Sequence, residues 1–283
     1  MSRAAAVIGR AFFAVGLMGL AAEHFVFGEF VTGRAPPWPE GVPGGAVWAG
    51  ATGVALIVLG LGILSGGRWA RPAAIVTAVL IFLWAFVRQV PVVAADSFLS
   101  GTWTTAGKAL TFTGGALAIA GAAPAVLDRA TSLSRFVNYR MEFVRVGAAC
   151  LGLFMVITGI QHFIFTEFVA SLIPPWFPGD SVFWTYFAGV ALIAGGIGLN
   201  VPWTSRLAAY LSGLMIFSWF WIVHVPRTFF SVSDGLAVFE ALAFAGLAFV
   251  LATELGTSPV RAGQWDTRRD EARAHRAVSA SGA

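Results

Sequence analysis

Two nine-residue phrases decide how this chain is read: EHFVFGEFV at Glu23–Val31 and QHFIFTEFV at Gln161–Val169. Each sets a histidine and an acid inside an otherwise apolar stretch. Around them the match extends. His24, Glu29, Phe30, Val31, Pro36, Pro37 and Trp38 agree with His162, Glu167, Phe168, Val169, Pro174, Pro175 and Trp176 at one offset of 138 residues. With small gaps, Trp48, Gly53, Gly60 and Gly62 agree with Trp184, Gly189, Gly196 and Gly198. Trp84 and Gln89-Val-Pro91 then agree with Trp219 and His224-Val-Pro226, and Lys108-Ala-Leu110 with Glu240-Ala-Leu242. The order is the same throughout, so the chain reads as two half-length repeats.

Composition says what surrounds those repeats. Of 283 residues, 58% are hydrophobic and 11% charged, and the mean hydropathy is +0.79. A water-soluble domain carries about 25% charged residues, so this chain is solvated by something other than water. Charge-free runs lie between Arg145 and Glu167 and over Ala46–Ser65, Ala73–Val87, Ser181–Ser205 and Leu207–Pro226. A helix of about 20 apolar residues crosses the hydrocarbon core of a bilayer. Eight such segments are expected, at roughly 7–30, 46–65, 71–91, 103–123, 143–166, 182–200, 204–225 and 235–253.

The basic residues set the expected orientation. In an eight-span arrangement, Arg3, Arg10, Arg68, Arg71, Arg129, Arg135, Arg140, Arg145, Arg206 and the five tail arginines fall on one side, 14 of the 18 basic residues. Arg34, Arg88 and Arg227 fall on the other, and Lys108 lies within a span. The positive-inside rule then places both termini in the cytoplasm of a cell whose inner membrane holds the chain. The positive charge thereby reports topology and not a nucleic-acid partner. The first span has the look of a secretory signal, with Arg3 and Arg10 ahead of an apolar run. Its counterpart lies deep in the chain, so the first span is expected to be retained.

Four spans per repeat is an even number, so the repeats enter and leave on the same side and are parallel. The expected fold is an all-α integral membrane protein of eight transmembrane helices in two four-helix bundles. The first unit covers 1–126, a cytoplasmic linker 127–142, the second unit 143–255 and a disordered tail 256–283. The glycines at 53, 60 and 62 and their partners offer close helix approach. The single cysteine, Cys150, excludes an intramolecular disulfide and a CxxC metal cage.

The residues HFIFTEFVASLIPPWFP (His162–Pro178) and AGVALIAGGIGL (Ala188–Leu199) resemble the DoxX-like family of small bacterial membrane proteins. The resemblance covers nearly the whole chain as two fused family units. It implies a four-helix membrane bundle per unit and an association with membrane redox systems, such as the membrane part of thiosulfate:quinone oxidoreductase. In one respect the chain departs from it. Where the family's second helix commonly has Glu after Gly-Val-Ala, this chain has Leu56 and Leu192.

Candidate site residues follow from depth. Arg10 to His24 is roughly 21 Å of helix and Arg145 to His162 roughly 26 Å, so both histidines sit in the outer third of their spans. Gln89 and His224 close the third and seventh spans on that side, and Lys108 and Glu240 open the fourth and eighth. The first half thereby gathers Glu23, His24, Arg88, Gln89 and Lys108; the second gathers Gln161, His162, His224 and Glu240. Ionisable groups at such depth face a bundle interior or water and mark functional sites. One reading is an outward-facing polar pocket in each bundle, binding a quinone-like or other small apolar ligand, with a soluble or membrane redox partner. The other is a set of interfacial groups that hydrogen-bond each other and tie helix ends together in a non-enzymatic lipid- or protein-binding carrier or scaffold. Lys108 opposite Glu240 inverts the charge between halves, which reads as divergence after duplication, and the sequence leaves open a direct Lys108–Glu240 ion pair across the interface.

Cofactor motifs are sparse. His162 and His224 are the pair placed to face an iron axially, but Gln89 replaces His224 in the first half and no second motif supports haem. His162, His224 and Glu240 lack diagnostic metal-ligand spacing, so no metal is expected. The sequence has no phosphate loop, GxSxG, HExxH or dinucleotide fingerprint.

Overall fold

The computed structural model describes residues 3–31, 35–123, 139–229 and 235–255. Among these residues the chain is all-helical. In order the helices are α1 (Arg3–Phe27), α2 (Gly45–Ser65), α3 (Ala70–Ala95), α4 (Gly101–Ala122), α5 (Arg140–Ile164), the short α6 (Thr166–Ser171), α7 (Ser181–Asn200), α8 (Ser205–Trp219) and α9 (Gly235–Glu254). Helix α8 runs on through a π-helical turn, Phe220–His224, and a last turn, Val225–Arg227.

Seven of these helices are long and apolar enough to cross a membrane: α1, α2, α3, α5, α7, α8 with its extension, and α9. Their outer faces are greasy. Val54 and Val58 on α2, Phe82 and Phe86 on α3, Phe183 and Phe187 on α7, and Leu207 and Leu211 on α8 are all exposed. An exposed face of this kind needs lipid to cover it, so the chain is a helical membrane protein.

The eighth expected span, α4, has the length but is not among the seven. Threonines and Lys108 dilute it: Thr102, Thr104, Thr105, Thr111 and Thr113. Its position explains why this is tolerated. Helix α4 packs against α3, α5 and α9 and buries twelve of its residues, including Thr111 and Thr113. The hydroxyls of Thr111 and Thr113 donate to the carbonyls of Gly107 (2.8 Å) and Ala109 (3.1 Å), four residues back, so neither hydroxyl is left bare. A helix walled off from lipid by its neighbours has no need of an apolar surface.

Neighbours in sequence pack in sequence, α1 on α2, α2 on α3, α3 on α4, α5 on α7, α7 on α8 and α8 on α9. The most extensive contacts, however, join the two halves of the chain: α1 lies along α9 and α4 along α5. Both crossings are made close by glycine. A methyl group added at Gly147 of α5 would stand 2.7 Å from the Gly114 carbonyl of α4, and one added at Gly9 of α1 would stand 2.6 Å from the Gly246 carbonyl of α9. Such small-residue crossings let dispersion act over long backbone contacts where lipid removes the hydrophobic drive. Between α4 and α9, Phe112 meets Phe244 with ring centroids 5.1 Å apart.

Several boundaries differ from the sequence reading. Helix α5 begins at Arg140, inside the expected linker 127–142, because Arg140 is docked: its Nε donates to the Gly121 carbonyl at 2.8 Å and its guanidinium lies 3.6 Å from Glu254. Helix α3 does not close at Gln89; it runs through Pro91 to Ala95. In the corresponding part of α8 the π turn precedes Pro226. Residues 124–138 of the first unit's end and the linker, and the tail 256–283, lie outside the described residues.

Candidate functional site

His24 is 1% exposed. Its Nδ1 lies 3.0 Å from the Leu20 carbonyl oxygen. A carbonyl only accepts, so Nδ1 carries the ring hydrogen and Nε2 keeps its lone pair. That Nε2 is fully buried and has no hydrogen-bond partner among the described residues. His24 lines a cavity of about 20 Å³ together with Leu17, Leu20, Leu56, Ile81, Trp84 and Phe112, from all four helices of the first half. Phe30 stands edge-on to the imidazole with ring centroids 5.9 Å apart, and Trp84 lies 6.3 Å away, tilted by 33°. A buried acceptor without a partner costs about 1–3 kcal/mol, so this position asks for a donor.

His162 repeats the arrangement. Its Nδ1 bonds the Thr158 carbonyl at 2.7 Å, again four residues back, and its ring stacks on Trp219 with centroids 6.4 Å apart. Trp84 and Trp219 were legible as a repeat match, but not as the aromatic walls of the two histidines. His224 lies in the π turn of α8 and is half-buried.

The other polar residues divide. Gln161, 6% exposed, is fully engaged: its Oε1 accepts from the Thr104 hydroxyl at 2.6 Å, and its Nε2 donates to the carbonyls of Leu99 (3.0 Å) and Ser100 (2.8 Å). It thereby holds the α3–α4 turn, where Leu99 has φ 62°, a left-handed conformation uncommon outside glycine. Lys108 and Glu240 form an ion pair, Nζ to Oε2 at 2.6 Å, with side-chain exposures of 23% and 3%. Glu23 is half-buried and close enough to Glu240 to feel its charge. Arg88 and Gln89 are not among the residues lining the His24 cavity; with Asp96, Thr102 and Thr105 they line a separate open cleft of about 410 Å³ between the end of α3 and the start of α4. Asp96 was missed by the sequence reading, although the run Asp96-Ser-Phe-Leu-Ser100 carries the signature of a capping turn.

In the first half, His24 thus lines one cavity and Arg88 and Gln89 another. The structure brings together Lys108, Glu240 and Glu23 across the halves, gives His24 and His162 each an aromatic wall, and sets Arg88 and Gln89 apart. Among the described residues no three His, Cys, Asp or Glu side chains are grouped to hold a metal ion.

Comparison with known proteins gives one match. The model of a family described as a domain of unknown function (DUF8561) matches residues 151–251, from the middle of α5 through most of α9. No curated protein matches, and no solved structure matches.

Proposed function

We propose that the chain is a DoxX-like inner-membrane protein of two fused four-helix units, with α4 as the eighth span and both termini cytoplasmic. In this reading it is the membrane subunit of a redox system and binds a quinone-like or other small apolar molecule in an outward-facing pocket. Three pairs of contacts support the two-unit layout. His24–Trp84 has its counterpart in His162–Trp219, and Gly9–Gly246 has its counterpart in Gly147–Gly114. Lys108–Glu240 and Phe112–Phe244 each join a residue to its own repeat equivalent. A residue that meets its equivalent lies on the axis relating the units.

The observation that carries the binding reading is the bare Nε2 of His24. It accepts, so the ligand's head donates. A phenolic hydroxyl, as on a reduced quinone, meets that requirement. The cavity has room for a group the size of one water. The head therefore enters beside Trp84 while the body of the ligand lies between helices or in lipid. A lone water is a poorer occupant, because it needs two to four polar partners and the walls supply one.

The test is mass spectrometry of small molecules retained after purification of the full chain in mild detergent, comparing the native sequence with His24→Leu. A hydroxyl-bearing apolar molecule retained by the native chain and lost in the variant is the expected result. Equal retention sinks the reading. The scaffold alternative is favoured by Gln161, whose three hydrogen bonds tie helices together; a quinol-oxidation assay and co-purification of a soluble redox partner separate the two.

A further inference from the structure

We propose that the cleft between the end of α3 and the start of α4 binds the headgroup of a zwitterionic phospholipid bearing a primary amine, as in phosphatidylethanolamine. This site is separate from the His24 cavity and does not depend on it. Two opposite charges line the cleft, Arg88 and Asp96. They are eight positions apart, about 12 Å along the chain at helical rise, and they make no ion pair with each other.

Arg88 is half-buried and makes no hydrogen bond or ion pair among the described residues. A guanidinium on a membrane helix is costly without an anion, and its planar fork fits a phosphate. Asp96 is held in place: its two carboxylate oxygens accept from the Ser97 amide at 2.7 Å and the Ser100 hydroxyl at 2.9 Å. These bonds keep its carboxyl below the usual Asp range, so it stays charged. A carboxylate has about four lone-pair sites, so Asp96 can accept further from a donor bound in the cleft. The volume, about 410 Å³, admits a headgroup.

The surroundings favour a lipid over a soluble zwitterion. Phe86, Val90 and Phe98 on the flanking surface are exposed and offer acyl chains an apolar wall. Among lipids, the charges discriminate. A phosphoglycerol head satisfies Arg88 but brings net negative charge to Asp96. A choline head is neutral overall, yet its quaternary nitrogen donates no hydrogen bond. An ethanolamine head presents phosphate to Arg88 and an ammonium to Asp96 across a two-carbon chain.

The experiment uses the full chain in mild detergent, equilibrated with equimolar phosphatidylethanolamine, phosphatidylcholine and phosphatidylglycerol of identical acyl chains. Retained lipid is read by native mass spectrometry. The expected result is preference for the ethanolamine lipid by about tenfold or more, the scale of one charge-assisted hydrogen bond. Arg88→Gln should lower its retention by a similar factor. Asp96→Asn, which still accepts from Ser97, should lower it and raise the share of phosphatidylglycerol. Equal retention of the three lipids by the unaltered chain overturns the proposal without recourse to any variant. So does an unchanged ethanolamine-to-glycerol ratio in Asp96→Asn. Displacement by soluble glycerophosphoethanolamine at the concentration that suffices for the lipid assigns the cleft to a water-soluble zwitterion and overturns the lipid.

Discussion

Lys108 Nζ lies 2.6 Å from Glu240 Oε2, joining the two most enclosed helices, α4 and α9. On the two-unit layout proposed above, each of these residues occupies the place of the other. Two identical units would confront lysine with lysine or acid with acid at this point, whereas two diverged halves can present opposite charges. The inversion that looks like loss of a shared site in the sequence is, in space, a complementary pair.

The pair should be asymmetric in its response to mutation. Lys108→Met leaves the Glu240 carboxylate, 3% exposed, without its cation and should cost about 3 kcal/mol or more. Glu240→Gln should cost less, because the Lys108 ammonium is partly exposed. Replacing both by Met should return stability close to the original. Thermal unfolding in detergent by circular dichroism measures all three, and a double variant as unstable as Lys108→Met would contradict the argument.

Glycines should separate into two kinds. Gly147→Val and Gly246→Val place atoms against the backbone of the opposing helix and should destabilise by about 1–3 kcal/mol or more. Gly50, within α2, has nothing within 4 Å of an added methyl, so Gly50→Ala should stabilise by about 0.5–1 kcal/mol through helix propensity. The same unfolding experiment reads both signs.

Gln161→Leu removes three hydrogen bonds and takes the Gln161 donor from the Leu99 carbonyl, while the Ser100 carbonyl keeps the Trp103 amide at 3.1 Å. A loss of about 1–3 kcal/mol is expected. The loss should be local first: amide hydrogen exchange should accelerate over residues 97–104 before α1 or α7 responds. Uniform acceleration would mean that the side chain supports the whole bundle instead of this turn.

Asp96 gives the same turn a pH dependence. The Ser97 amide, then the Ser100 and Thr102 hydroxyls, hold its carboxyl below the usual value. A lowered folded pKa means that the stabilisation is present above the ordinary Asp value, about 3.9, and is lost as pH falls through the lowered one. Protection at residues 97–100, the intrinsic rate divided by the observed rate, should therefore be constant near neutrality and fall as pH drops below about 4. Asp96→Ala should abolish that pH-dependent loss of protection; if the loss persists, another group controls the turn.

Much was legible from residue order because a bilayer permits few answers. Runs free of charge between Arg145 and Glu167 or over Ser181–Ser205 must be helices, since lipid offers no partner to an open backbone. The repeat of His24 and His162 located two equivalent positions, and both rings prove to bond the carbonyl four residues back. What sequence could not weigh was which helices touch. Depth along a span follows from counting residues, but the direction a side chain faces depends on its neighbours. Gln89 shares a depth with His24, yet lines another cavity. Gln161 is adjacent to His162, yet turns the opposite way, to the α3–α4 turn. The tertiary structure alone decided that α1 lies along α9 and α4 along α5. It could do so because glycines such as Gly9 and Gly147 admit a partner backbone, and a glycine in a sequence does not name the helix that will approach it.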